Sequence, residues 1–323
     1  MRRTLFLLLA LVWIPAVAYS QPPSLQSIWT IHSSYGLARP WHLAMDANGN
    51  VYVADAAEFR VFVFTSNGAA VTSWTCPALD PLDFSPRGIA VSSDGQVYVT
   101  TPSPNGPAPF WVTAYTAAGS YLGPVGTIGS DAGQLGRPMG IATDASNHLF
   151  VTDTENFRVN VIDASGAPIT QWGGWGSGPG EFHFPQAIAV SPSGNVYVTD
   201  DDNQRIQVFT TAGAFITQWG SYGNAPGQFA GPWGIALDSG GNVYVADASN
   251  NRIQVFSSTG QFLMQWGTPG SGPGQFKKPL GVAVGMDGRV YVADTFNSRI
   301  QVFAPLVTPT VRSTWGRVKT LYR

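Results

Sequence analysis

The sequence predicts an all-β protein, a six-bladed β-propeller built from four-stranded blades. Each repeat unit holds four short β-rich segments, named strands a to d from the channel outward, with turn residues between them and no helical periodicity. The segment Val-Tyr-Val in strand b is apolar on both faces, so each sheet must stack against neighbouring sheets. Units of about 47 residues recur six times, and the residue that ends strand b falls at Asp55, Thr101, Asp153, Asp200, Asp247 and Asp294.

The composition is typical of a β-repeat protein with few surface charges. Charged residues make up 11% of the 323 residues, and 37 glycines with 24 prolines indicate many turns. The 44% of apolar residues is enough for a sizeable core. The net charge of -2 creates no basic field, and only three lysines are present. We therefore expect a monomer that does not bind nucleic acid.

The two ends of the chain differ from the repeats. Residues 1–20 begin with two arginines, continue with an apolar run and end in small residues, which predicts a signal peptide, export from the cytoplasm and no membrane span. Residues 24–304 hold the propeller, and residues 305–323 form a linker with a basic tail. Two segments compete for the fourth strand of blade 6, one starting at Ser24 and one at Val311. We favour the first, because propellers commonly close by joining both chain ends in one blade.

One unit carries a clear family resemblance. The stretch WGTPGSGPGQFKKPLGVAVGMDGRVYVADTFNSRIQVF, from Trp266 to Phe303, resembles the NHL repeat, and the resemblance covers roughly residues 24–304. It implies six NHL-type blades. The likeness is weak in blade 2, which has extra residues between Thr101 and Trp111. Some NHL-like propellers are metal-dependent lyases or hydrolases and others bind RNA, so the resemblance implies a fold and leaves the activity open.

An aspartate and an arginine five positions apart recur in every blade except the second. In blade 2 both are absent together, with Thr101 and Trp111 in the aligned places, which indicates that the two side chains serve each other. We predict structural ion pairs across the turn between strands b and c. The predicted pairs are Asp55 with Arg60, Asp153 with Arg158, Asp200 with Arg205, Asp247 with Arg252, and Asp294 with Arg299.

A binding site is expected where the repeats differ. Strand a of each blade starts with Pro-x-Gly or a close variant, and this start lies on the same face of a propeller as the b–c turn. The six x residues should therefore surround one mouth of the channel, where a protein or carbohydrate ligand could bind. Inter-blade packing is the alternative role for the two tryptophans. The predicted ligand-binding residues are Trp41, His42, Arg87, Met139, Gln186, Trp233, Leu280 and, outside the ring, Phe296.

A metal-dependent lyase or hydrolase with a cation in the channel is the alternative function. The four histidines occupy inequivalent repeat positions, so three imidazoles cannot converge on zinc. Asp46, Asp144 and Asp238 end strand a in alternate blades and could offer oxygen ligands to calcium. Aspartate also caps tight hairpins, and we favour that role. We therefore predict no catalytic residue and no cofactor, with calcium as the alternative.

Overall fold

The computed structural model describes residues 27–76, 85–101 and 112–304, which form a six-bladed β-propeller of four-stranded antiparallel sheets. This confirms the predicted fold class. The only helical segments of the described residues are two 3-10 turns, Ser33–Tyr35 and Thr295–Asn297. The predicted signal peptide and basic tail lie outside the described residues. Within the described part of the chain, we find no helix with the length and apolarity that a membrane crossing requires.

The strands follow the repeat units in chain order. Strand β1 is Ser27–Ile31. Blade 1 consists of β2 Pro40–Met45, β3 Val51–Asp55, β4 Arg60–Phe64 and β5 Ala70–Thr75. Blade 2 consists of β6 Ile89–Val91, β7 Val97–Thr100, β8 Val112–Tyr115 and β9 Tyr121–Val125. A short parallel pair, β10 Thr127–Ile128 and β11 Gln134–Leu135, leads to blade 3, which consists of β12 Pro138–Thr143, β13 Leu149–Asp153, β14 Arg158–Ile162 and β15 Pro168–Gly173.

The second half of the ring repeats this plan. Blade 4 consists of β16 Pro185–Val190, β17 Asn195–Asp200, β18 Arg205–Thr210 and β19 Phe215–Trp219. Blade 5 consists of β20 Pro232–Leu237, β21 Val243–Asp247, β22 Arg252–Phe256 and β23 Phe262–Trp266. A second parallel pair, β24 Thr268–Pro269 and β25 Gln275–Phe276, precedes β26 Gly281–Val284, β27 Val290–Asp294 and β28 Arg299–Phe303.

The N-terminal strand closes the ring. β1 pairs antiparallel with β28, with Ile31 opposite Ile300 and Thr30 opposite Gln301, and so becomes the outer strand of blade 6. The closing strand is the N-terminal one that the sequence favoured. The competing C-terminal segment lies outside the described residues. Joining the two ends of the repeat region in one sheet holds the first and last blades together.

Six buried clusters form the core, and each joins two neighbouring blades. The cluster around Val53 and Tyr291, for example, connects blades 1 and 6. Because every sheet buries both faces against its neighbours, the centre of strand b is mainly apolar, and burying large side chains there is the main stabilising contribution. The central aromatic residue of strand b is buried in every blade: Tyr52, Tyr98, Phe150, Tyr197, Tyr244 and Tyr291.

The glycine of Pro-x-Gly is required by a close approach of neighbouring inner strands. A Cβ atom on Gly234 would lie 2.5 Å from the carbonyl oxygen of Leu280, and one on Gly281 would lie 2.6 Å from that of Trp41. Only glycine tolerates such contacts without displacing the next blade. These contacts bring the x residues of successive blades close together around the channel.

Each outer strand carries a β-bulge at an exposed aliphatic residue. The pairing register with strand c skips one residue of the outer strand in every blade. A bulge interrupts the row of edge hydrogen-bonding groups, so it disfavours edge-to-edge pairing with another chain. The skipped residues are Ile28, Val71, Leu122, Ile169, Ile216 and Leu263.

The predicted ion pairs form in blades 3 to 6. In each of these blades the arginine Nε donates to the Oδ2 of a fully buried aspartate. An asparagine in the b–c turn and an amide side chain in strand c donate to the same carboxylate, as Asn250 and Gln254 do for Asp247. The pairs and their distances are Asp153–Arg158 at 3.1 Å, Asp200–Arg205 at 2.8 Å, Asp247–Arg252 at 2.7 Å and Asp294–Arg299 at 2.7 Å.

The predicted pair of Asp55 and Arg60 in blade 1 is wrong. Arg60 Nη2 donates instead to Ser73 Oγ at 2.7 Å. The carboxylate of Asp55 accepts backbone N–H groups, including that of Arg39 at 3.0 Å. Blade 1 has Glu58 and Phe62 where the other four blades carry amide side chains. In the other four blades one carboxylate oxygen accepts side-chain donors, whereas both oxygens of Asp55 accept only backbone N–H groups of the described residues, and Arg60 donates to a neighbouring hydroxyl.

Candidate functional site

The predicted ring of x residues lines one concave cavity at the mouth of the channel. The empty space at this mouth amounts to about 250 Å³ when the part open to solvent is counted. All six x residues contribute to its wall, together with His42 and the small residues that follow x in four other blades. The lining residues are Trp41, His42, Arg87, Gly88, Met139, Gly140, Gln186, Ala187, Trp233, Gly234 and Leu280.

Strand b hydroxyl groups fix the backbone of several x residues. Thr152 Oγ1 donates to the carbonyl oxygen of Gln186 at 2.8 Å, although Thr152 belongs to the preceding blade. Thr199 Oγ1 donates in the same way to the carbonyl oxygen of Trp233 at 2.9 Å. These bonds connect the two x residues to a neighbouring sheet, so this part of the cavity wall is held in place before a ligand arrives.

Two tryptophans from non-adjacent blades meet over the cavity. The ring centroids of Trp41 and Trp233 are 5.3 Å apart, and the ring planes are inclined by 64°, an edge-to-face contact. The guanidinium carbon of Arg87 lies 3.7 Å from the centroid of the Trp41 ring, a close cation–π contact. Both indoles are only partly buried. The mouth therefore presents aromatic surface to solvent, with one positive charge stacked on it.

His42 is a buried, neutral imidazole in the cavity wall. The residue is 8% exposed, and neither ring nitrogen makes a hydrogen bond of normal geometry to any described residue. Burial lowers the pKa of His42 to about 4, with a smaller opposing effect from the Ile89 backbone. The imidazole is therefore uncharged near neutral pH, with one nitrogen a donor and the other an acceptor.

Gln186 lines the cavity, and Asp201, which is outside the lining, contacts it. Gln186 Nε2 lies 3.5 Å from Asp201 Oδ2, a long contact, while the buried Oε1 of Gln186 has no partner among the described residues. Burial raises the pKa of Asp201 to about 6, and the neighbouring charge of Asp202 adds to this effect. The b–c turn of blade 4 thus supplies a carboxyl group that titrates near pH 6.

Phe296 lies outside the cavity lining. It is part of the 3-10 turn Thr295–Asn297 and is 46% exposed. The cationic groups of Arg39 and Lys278 lie 5.8 Å and 5.9 Å from its ring centroid. The sequence predicted Phe296 to lie outside the ring of x residues. In the structure its ring is near two basic side chains and does not line the channel mouth.

The aspartates at the end of strand a cap their own turns. Asp46 Oδ1 accepts the backbone N–H groups of Asn48 and Asn50, and Asp238 Oδ1 accepts the equivalent groups in blade 5. Asp144 caps the corresponding turn of blade 3. These bonds agree with the turn role that the sequence favoured. Among the described residues, no group of three or more His, Cys, Asp or Glu side chains is arranged to hold a metal ion.

His148 and His183, which each contact an aspartate, lie apart from the cavity. His148 Nδ1 is 3.0 Å from Asp144 Oδ2 in a turn on the opposite face. His183 Nε2 is 3.5 Å from Asp202 Oδ2, on the surface beside Phe157 and other aromatic rings. Neither imidazole can reach the channel mouth together with His42.

Sequence reasoning found the ring, including the small residue that follows x in blades 2 to 6, and missed two of its contacts. It did not predict the stacking of Arg87 on Trp41 or the contact of Asp201 with Gln186. Neither contact follows from the spacing of the repeats.

Comparison with known families confirms the repeat. The family described as NHL repeat matches residues 37–64, 135–162, 182–209, 229–256 and 276–303. These five segments belong to blades 1 and 3 to 6, and blade 2, where the likeness is weak, is not matched. No curated protein matches the chain significantly over its sequence.

Solved structures share the propeller at low sequence identity. A streptogramin B lyase structure is 16% identical, with 85% of this chain and 96% of that chain covered and a TM-score of 0.60. A virginiamycin B lyase from Staphylococcus aureus is 17% identical, with 84% and 86% covered and a TM-score of 0.57. An auxiliary nutrient binding protein from Bacteroides thetaiotaomicron VPI-5482 is 14% identical, with 83% and 69% covered and a TM-score of 0.63. At such identities the likeness shows a common fold alone.

Proposed function

The chain carries five NHL repeats within a six-bladed β-propeller, and on this premise we propose that it is an exported, noncatalytic binding protein whose ligand, a protein or a carbohydrate, docks at the channel mouth. The observation that carries the proposal is the convergence on one cavity of a repeat position whose residue changes between blades. A fold device recurs with the same residue types, as the ion pairs of blades 3 to 6 do. A binding site differs from blade to blade because a ligand lacks sixfold symmetry.

The chemistry of the mouth supports binding. Partly exposed tryptophans and an arginine are the residue types that carry most of the free energy of recognition at interfaces. Trp41 contacts both Trp233 and Arg87, so its conformational freedom is already restricted before binding. Trp41 and Trp233 lie on inner strands rather than on long loops, which makes their positions rigid.

Two observations support export: the signal-like pattern of residues 1–20 and the presence of nutrient binding proteins among the structures that share the fold. The N-terminal pattern of arginines, an apolar run and small residues is that of a secretory signal. Two proteins of Bacteroides species described as auxiliary nutrient binding proteins have the same fold at 13–14% identity. A role in capturing a ligand outside the cytoplasm fits both observations.

Screening of labelled protein against a glycan array and an immobilised peptide library tests the proposal. We expect at least one ligand whose binding is lost when Trp41 and Trp233 are both replaced by Ala. The matched control replaces Asp46 and Asp238 by Asn on the opposite face, where the turns stay capped, and should bind as the wild type does. Binding that survives the tryptophan changes in a folded protein would place the site elsewhere.

Metal analysis distinguishes binding from the enzyme alternative. The purified wild-type protein is dialysed and analysed for bound cations by elemental mass spectrometry. A tightly bound, stoichiometric ion would favour a metal-dependent lyase or hydrolase over a noncatalytic binding protein. We expect no ion at stoichiometric occupancy.

A further inference from the structure

Two buried side chains in the channel-mouth cavity carry polar atoms that lack partners among the described residues. They are Nδ1 and Nε2 of His42, a residue that is 8% exposed, and Oε1 of Gln186, a residue that is 9% exposed. The backbone of Ile89 lies near the imidazole of His42 but makes no hydrogen bond of normal geometry with it. Leaving such atoms unsatisfied costs free energy that a ligand with matching groups would recover. Both residues line the same cavity, in blades 1 and 4.

We propose that this cavity receives a single uncharged, hydroxylated ring, the terminal sugar of a glycan, with His42 and Gln186 as its hydrogen-bonding partners. The inference rests on the proposed function and deepens it, because it selects the carbohydrate over the protein ligand and assigns the polar contacts. His42 and Gln186 bind the hydroxyl groups, and Trp41 and Trp233 pack against the ring.

A hydroxyl group matches the unpaired atoms better than other polar groups do. A neutral imidazole offers one donor and one acceptor, and the Gln186 oxygen offers an acceptor. A hydroxyl both donates and accepts, so neighbouring hydroxyls on one ring can satisfy all three atoms whichever tautomer His42 adopts. A purely accepting group, such as a carboxylate, would leave the Gln186 oxygen unpaired.

The aromatic wall favours a ring-shaped ligand. The C–H bonds of a sugar ring carry partial positive charge and pack well on the electron-rich face of an indole. The cavity opens to solvent, so a ring bound at the mouth would be the end of a glycan chain whose remainder lies in solvent.

The charges around the cavity disfavour an ionic ligand of either sign. Arg87 stacks on Trp41 on one side, and Asp201 lies against Gln186 on the other. An anion would be repelled by Asp201 when that group is ionised, and a cation would be repelled by Arg87. A ligand of either charge is therefore repelled by one of these two groups, whereas an uncharged ring is repelled by neither.

Binding of small sugars to the mature protein tests the inference. The probes are the methyl glycosides of glucose, galactose, mannose and N-acetylglucosamine, with glucuronic acid and glucosamine as charged counterparts, followed by saturation-transfer NMR and calorimetry. We expect at least one methyl glycoside to bind with a dissociation constant on the order of 1 mM, as a ligand of this size permits. The charged sugars should bind more weakly.

Two variants keep the approximate shape of the side chains of His42 and Gln186 and remove their polar atoms. His42→Phe and Gln186→Met should each weaken glycoside binding about tenfold, the effect of one lost hydrogen bond. Asp238→Asn on the opposite face is the matched control and should bind as the wild type does. Thermal melting shows whether each variant is folded, and Gln186→Leu provides a second variant if Gln186→Met is unstable.

The outcomes separate this inference from the proposed function. Full affinity in folded His42→Phe and Gln186→Met proteins overturns the assigned contacts. Absence of binding by every methyl glycoside, combined with a peptide ligand that needs Trp41 and Trp233, overturns the sugar and leaves the proposed function standing. Absence of any ligand that depends on the tryptophans overturns both.

Discussion

Arg252 Nε donates to Asp247 Oδ2 at 2.7 Å, and the two side chains are 7% and 0% exposed. The remaining nitrogens of the guanidinium donate to carbonyl oxygens of the connector that precedes strand a, including that of Gln228 at 2.7 Å. One arginine thus ties the b–c turn to the glycine-rich segment that enters the blade. The aspartate keeps the buried arginine paired, and the recurrence in four blades identifies a fold device.

Replacing Asp247 by Ala should lower the free energy of unfolding by about 3 kcal/mol, because it leaves a buried guanidinium without its counter-charge. Denaturant unfolding followed by circular dichroism measures the change. Blade 1 supplies the matched control, since Arg60 makes no ion pair. Arg60→Met should cost clearly less than Arg252→Met, and equal costs would contradict the importance of the pair.

Double-mutant cycles measure the energetic coupling between the aspartate and the arginine of one blade. In blade 5, Asp247→Ala and Arg252→Met should together cost less than the two single changes added, because each removes the same interaction. In blade 1, Asp55→Ala and Arg60→Met should be additive, because Asp55 binds backbone N–H groups instead. Additivity in both blades would contradict the structural reading of the pairs.

Gly234→Ala should destabilise the propeller by about 2 kcal/mol, because the added methyl overpacks the contact between neighbouring inner strands. Its Cβ would lie 2.5 Å from the carbonyl oxygen of Leu280. Gly174→Ala is the matched control, since a Cβ there meets nothing within 4 Å. Thermal unfolding of both variants measures the difference, and a destabilised Gly174→Ala with an unchanged Gly234→Ala would refute the packing argument.

Deleting residues 21–30 should open the ring, because it removes most of β1 and exposes the edge of β28. The truncated protein should aggregate and lose cooperative unfolding, which light scattering and thermal denaturation detect. Deleting residues 308–323 should leave the stability nearly unchanged, since β1 already pairs with that edge. A stable N-terminal deletion with an aggregating C-terminal one would assign closure to the other end.

His42 should make the protein less stable as the pH falls. Its pKa is lowered from 6.5 to about 4 in the folded state, so the unfolded chain takes up a proton first. Stability is therefore lost between pH 6.5 and about 4, by about 3 kcal/mol if no other group compensates. His42→Gln should lack this loss, as unfolding free energies measured through the window will show. An identical pH dependence in both proteins would contradict a buried neutral imidazole.

Asp201 should act in the opposite direction across a similar window. Its pKa is raised from 3.8 to about 6, so the unfolded chain loses its proton first as the pH rises. The stability that Asp201 contributes is therefore present below pH 3.8 and lost as the pH rises through about 6. Asp201→Asn should gain stability relative to the wild type over this range, and a relative loss would show that Asp201 is ionised throughout.

The repeat pattern predicted most of the fold because it is local. A Val-Tyr-Val strand followed by Asp, a polar turn and Arg fixes the pairing of strands b and c within one unit, and six units fix the number of blades. The ring at the channel mouth could be predicted for the same reason, since each x residue occupies the same place in its blade. The prediction of an ion pair in blade 1 was wrong because it considered only the aspartate and the arginine. It did not take into account that Glu58 and Phe62 replace the amide side chains that bind the carboxylate in the other blades.

The sequence by itself determined the blades, the strands, the face on which the variable residues gather and four of the five ion pairs that it predicted, and it favoured β1 as the closing strand. Only the tertiary structure decided that Trp41 meets Trp233 and stacks on Arg87, and that His42 is buried without a hydrogen bond of normal geometry. The first group depends on contacts within one repeat unit, which the local spacing specifies. The second depends on closing the ring, because the diameter and tilt of the closed ring bring together residues that are distant in the chain and belong to different blades.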